Sequence, residues 1–137
     1  MTHSLLDTAN GYPIDVWLAF RDVDHDGPLN FWWRQLQPGF QHVECWRKDR
    51  GVWVRLEPCF EFALLEAYVD PPWRVLNPEL NPTFLRVRRV VPRWSLRKAF
   101  KFGPVTCVDA AKLFLGLRLP TVWTPFQLYQ HLRKQQG

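Results

Sequence analysis

Cysteine is scarce in this 137-residue chain: Cys45, Cys59 and Cys107 are an odd number with no CxxC pair, which argues against a disulfide framework or a structural zinc site. No apolar run approaches the roughly 18–20 residues that span a bilayer, so no transmembrane segment is expected. Met1 to Asp7 lack both a positive stretch and an apolar one. The expectation is a chain without a signal peptide, cytoplasmic on synthesis. Acidic residues are fewer than basic ones, 13 against 18, and the net positive charge suits nucleic acid, an anionic membrane face or an anionic wall polymer. Internal repeats and low-complexity tracts are missing too.

What is present is apolar and aromatic. Hydrophobic residues make up 47% and aromatics 15%, enough buried surface to offset the ordering entropy that keeps polar chains disordered. Eight Trp are many for this length, and each needs burial or a partner for its indole N–H. Twelve Pro disfavour a long helical bundle, because each interrupts a helix interior. The length suits one domain, residues 1–137.

Ile14 to Phe20 reads as a strand. An acidic turn follows from Asp22, and Asn30 to Leu36 suits a short helix carrying Trp32 and Trp33. Gln41 to Arg47 and Val52 to Glu57 form a hairpin around Lys48-Asp49-Arg50-Gly51. With a symmetric loop of two or four residues, facing residues have numbers summing to 99, whereas an odd-length loop would shift the register. One face then pairs Val43 with Leu56 and Cys45 with Val54; the other pairs Trp46 with Trp53, Glu44 with Arg55 and His42 with Glu57. Phe60 to Val69 is open between strand and helix, residues 70–83 form a Pro-rich connector, and Phe84 to Val91 is strand-like. Thr106 suits an N-cap for a helix over Cys107 to Leu115 ended by Gly116, and Thr124-Pro125 opens a last helix.

Cys107 stands out chemically. At a helix start, partial positive charge lowers a thiol pKa and backbone N–H groups can hold an oxyanion. The alternative is a cysteine packed under its helix. A cysteine nucleophile needs a base with an orienting partner, and the hairpin arithmetic places Glu57 beside His42. Trp46 and Trp53, on the same face, are candidate walls of a substrate cleft.

These residues resemble the permuted NlpC/P60 branch of the papain-like cysteine peptidase superfamily, which includes lecithin:retinol acyltransferase-like enzymes. Gln41-His42-Val43-Glu44-Cys45-Trp46 looks like its His strand, Val54-Arg55-Leu56-Glu57-Pro58 like the strand of the third polar residue, and Thr106-Cys107-Val108-Asp109-Ala110-Ala111 like its nucleophile helix. The resemblance covers about residues 38–132, without the usual small-residue run in the His strand. It implies an α+β fold, a circularly permuted papain-like core with an antiparallel sheet and the nucleophile helix against it. It further implies a cysteine hydrolase or acyltransferase that cleaves an amide or ester bond, with Cys107 attacking, His42 as base and then acid, and Glu57 orienting His42. A peptidoglycan peptide is the first substrate class and a lipid amide or ester the second; neither cofactor nor metal is called for. The general appearance suggests a phage or bacterial origin, and with the former, packaging in a virion.

Two other readings stand beside it. One is a non-catalytic virion or complex component that binds a protein partner through the same fold. The other is a nucleic-acid-binding module built on Arg86, Arg88, Arg89, Arg93, Arg97, Lys98 and Lys101, interleaved with Val87, Trp94 and Phe100; no module signature accompanies it. Asp22 to Gly27 matches the first half of a calcium loop, but position twelve falls on Trp33 instead of the required Glu, favouring a plain acidic turn.

Overall fold

A computed structural model describes residues 12–23, 36–58, 63–91, 107–115, 117, 119 and 121–136. The elements are β1 (Tyr12–Arg21), β2 (His42–Asp49), β3 (Val52–Pro58), β4 (Ala63–Tyr68), α1 (Pro72–Val75), a single 3₁₀ turn (Pro78–Leu80), β5 (Thr83–Val91), α2 (Cys107–Leu115) and α3 (Pro125–Gln136). The strands form one antiparallel sheet in the order β4-β3-β2-β1-β5. The fold is therefore α+β, as the sequence suggests. The expected helix from Asn30, the Thr106 cap and the Gly116 stop lie outside the described residues, as do Arg93, Arg97, Lys98 and Lys101.

The β2–β3 turn is centred one residue later than the sequence reading places it. Arg50 and Gly51 both have positive φ, 51° and 82°, the signature of a two-residue hairpin turn whose twist matches its strands. Lys48 and Asp49 stay in the ladder opposite Trp53 and Val52. Facing numbers consequently sum to 101, not 99: Trp46 lies opposite Arg55 and Cys45 opposite Leu56. A slip of two keeps every side chain on its expected face while changing its direct partner.

Alternation splits the sheet into two unlike faces. Val16, Leu18, Phe20, Val43, Cys45, Leu85 and Val87 point to one side, where Val108, Ala111 and Leu115 of α2 and Leu128 and Leu132 of α3 close a dry core. Thr124 Oγ1 accepts from Gln127 N–H, and Gln127 Oε1 accepts from Thr124 N–H, a reciprocal cap that fixes where α3 begins. Lys112 donates to the carbonyls of Leu119 and Val122, tying α2 to the approach to α3.

The other face carries Trp17, Ala19, Trp46, Trp53, Tyr68 and Phe84, covered by Val75 and Leu76 at the end of α1. The Pro-rich connector is thus more ordered than expected. Pro71 and Pro72 begin α1, and the Leu76 N–H closes it on the Pro72 carbonyl. Phe60 to Val69 resolves in part, residues 63–68 being an edge strand. Asp22, first residue of the calcium-loop match, uses its two carboxylate oxygens to accept from Gly39 N–H and Asn81 Nδ2. It binds two chain segments together; residues 24–27 of that match lie outside the described residues.

Candidate functional site

On the Trp46 side of the sheet, charged residues of three strands meet under cover. Glu44 is fully buried. Its carboxylate accepts from Trp46 Nε1 at 2.9 Å and from Arg55 Nη2 and Nε at 2.7 and 3.1 Å, with Arg21 Nη2 at 3.4 Å. Glu57 takes Arg21 Nη2 at 2.6 Å and Arg55 Nη2 at 3.0 Å. Such burial is tolerable only because each carboxylate has charged donors.

His42 belongs to this network by position. The sequence reading brings it to Glu57, and the two do approach, diagonally: His42 Nε2 lies 3.6 Å from Glu57 Oε1, beyond hydrogen-bond length. Nε2 is buried without a hydrogen-bond partner among the described residues. Burial, then the charges of Arg21 and Arg55, push the imidazole down to about 3, so it is neutral near pH 7 and weakly basic. Glu57 shifts up, chiefly through burial, with Arg55 partly opposing. Donor atoms of His42, Glu44 and Glu57 lie within 4.8 Å of one another. Arg21 and Arg55 already hold both carboxylates, supplying the countercharge that an ion would bring.

Cys107 is not brought to His42. It packs in the core on the α2 side, against the face that bears Val43 and Cys45, with its thiol bonded to the Val43 backbone. His42 sits opposite Arg21 in the ladder and shares its face with Glu44 and Trp46. Successive strand residues point to opposite sides, so the body of the sheet separates thiol and imidazole. Burial raises the Cys107 thiol pKa, and backbone hydrogen bonds oppose this only in part. Cys45 is pushed up to about 12 for the same first reason.

Trp46 and Trp53 fare differently. Trp46 is fully buried, with Arg55 5.5 Å from its ring and the Tyr68 ring at 5.4 Å; it is a core residue and walls no cleft. Trp53 borders an open groove of about 1070 Å³ that also takes in Trp17 and Trp73. Trp73, on α1, is 48% exposed and stands edge-on to Trp17, Trp53 and Phe84 at centroid distances of 5.2, 5.5 and 6.1 Å.

The groove is basic. Arg47, Lys48, Arg50, Arg86, Arg88 and Arg89 border it, against the single carboxylate of Asp15. Arg86 lies over Trp17 at 5.7 Å and Lys48 over Trp53 at 6.0 Å, cation–π contacts that hold charge beside the rings. Asp15 accepts two hydrogen bonds from Arg86 at 2.8 and 2.6 Å, which hold its pKa down. Arg89, opposite Ile14, and Arg47, opposite Val54, alternate to the α2 side and reach only the rim.

Sequence reading missed Trp17, Trp73, Lys48 and Arg50. Trp17 was open to discovery, since Asp15 and Trp17 alternate with apolar Val16 and Leu18. Trp73 was not, because a Pro-rich connector does not announce that it folds back over the sheet. No protein-family model, curated protein or solved structure matches the chain.

Proposed function

We propose that this chain is a binding module that engages a polyanion through the basic, tryptophan-lined face of its sheet. The single observation that carries the reading is the groove's composition: Lys48, Arg86 and Arg88 on the tryptophan face, Arg50 at the turn, and Arg47 and Arg89 at the rim, against the carboxylate of Asp15, around three indoles. Fixed positive charge in a concavity concentrates anions and speeds their association. Lys48 and Arg88 are exposed, so replacing them tests charge without touching the core. Binding of labelled inorganic polyphosphate should weaken in the Lys48→Gln/Arg88→Gln variant, and its salt dependence should flatten by about one unit of slope for each cation removed. Lys134→Gln, an exposed change on α3, serves as control. Equal binding by all three proteins, or no binding at low salt, overturns the reading.

A second reading keeps the permuted papain-like core and its cysteine chemistry. What favours it is that α2 begins at Cys107 and packs against β2, the strand that starts at His42. It requires the imidazole to reach the thiol's side of the sheet, where it would act on an amide or ester. A thiol-directed probe separates the readings. Selective labelling of Cys107 near neutral pH, abolished by His42→Ala, favours the hydrolase; labelling no faster than at Cys45 and Cys59 removes it.

A further inference from the structure

We infer that the polyanion is a single-stranded nucleic acid, one of whose bases stacks on Trp73. This rests on the polyanion reading and narrows its ligand. A chain of bare charges has no use for a half-exposed indole. Trp73 nevertheless stays half in water along the groove while most other apolar rings of this face are covered. Its setting is rigid: three edge contacts, to Trp17, Trp53 and Phe84, fix the ring, so a ligand would lose little affinity to ordering it. Cationic heads lie over two of the rings it touches, Arg86 over Trp17 and Lys48 over Trp53. That alternation of ring and cation matches a strand whose bases and phosphates alternate, the arrangement by which proteins hold single strands with little sequence preference. A duplex hides its base faces within its own stack, leaving Trp73 nothing to pair with.

The test compares oligothymidylate, a duplex of equal length, inorganic polyphosphate and heparin against the wild-type chain, Trp73→Ala and Trp73→Phe. Oligothymidylate should bind most tightly and quench tryptophan fluorescence. Trp73→Ala should lose roughly tenfold in affinity for it, Trp73→Phe should recover most of that loss, and the loss for polyphosphate should be clearly smaller. Circular dichroism of both variants checks that α1 and the sheet persist; if Trp73→Ala unfolds, Trp73→Phe against wild type and the ranking of the four probes decide. Polyphosphate binding as tightly as oligothymidylate, or equal losses for both in Trp73→Ala, overturns the stacking inference but leaves the polyanion reading standing. A heparin-specific loss in Trp73→Ala replaces the nucleic acid with a charged glycan and overturns it too. If none of the four probes binds, both fall together.

Discussion

At the scale of single residues, the chain hides its most reactive-looking groups and exposes an indole instead. Glu44 is the hub of the hidden network, accepting from Trp46, Arg55 and Arg21 at once. Glu44→Ala would leave two guanidinium groups and an indole N–H in a covered site without that partner. We expect a loss of roughly 3–5 kcal/mol by urea denaturation. His42 gives a pH signature. Its pKa falls from 6.5 in the unfolded chain to about 3 in the fold, so between those values the unfolded chain holds a proton that the folded one refuses. Stability should therefore fall as pH drops below 6.5, by up to about 1.4 kcal/mol per pH unit. Glu57, raised by burial, takes up its proton earlier in the fold than when unfolded and offsets part of that slope. His42→Gln should flatten the decline, measured as urea midpoints across pH; an unchanged slope would show that His42 is not its source.

Among elements, local chemistry and long-range packing divide the decisions unevenly. The α3 start was legible because Thr124, Pro125 and Gln127 carry it within four residues. Thr124→Ala removes the acceptor for Gln127 N–H and should cost about 1 kcal/mol, with fraying at the helix N-terminus visible as faster amide exchange. The β2–β3 hairpin was legible in its faces but not in its register. The four turn residues left the loop's centre open, and the positive φ of Arg50 and Gly51 sets it one residue later than expected. That slip of two turns the expected His42–Glu57 pair into a diagonal approach and puts Arg55 opposite Trp46. Residues 63–68 were undecidable alone, since a short apolar run suits helix or strand equally. The ladder with β3 makes them a strand.

For the whole molecule, the two sheet faces set what can meet. The α2–α3 side is sealed by apolar contacts, whereas the other holds the charge network and, beside it, the basic groove. Among the described residues no helix is long and apolar enough to cross a membrane. A ligand that binds only the folded groove must stabilise the fold by mass action. Oligothymidylate at a hundred times its Kd should raise Tm by roughly 5–10 °C. Added salt should erase the rise, since release of counterions drives the binding; a salt-independent shift would point to a contact other than the basic face.

Sequence by itself determined the class of architecture, because period-two alternation, turn residues and caps act over a few neighbouring positions. It also determined that Glu57 and His42 share a face, since parity survives any even slip. Its place at the start of a predicted helix singled out Cys107, and the described part of α2 runs from Cys107. Only the tertiary structure decided which side of the sheet that helix covers, and hence that the thiol and the imidazole lie apart. Helix docking depends on apolar surface gathered from β1, β2 and β5 together, which no local pattern encodes. The same holds for Trp73, brought over Trp17 and Trp53 by a connector whose prolines reveal little of where it leads.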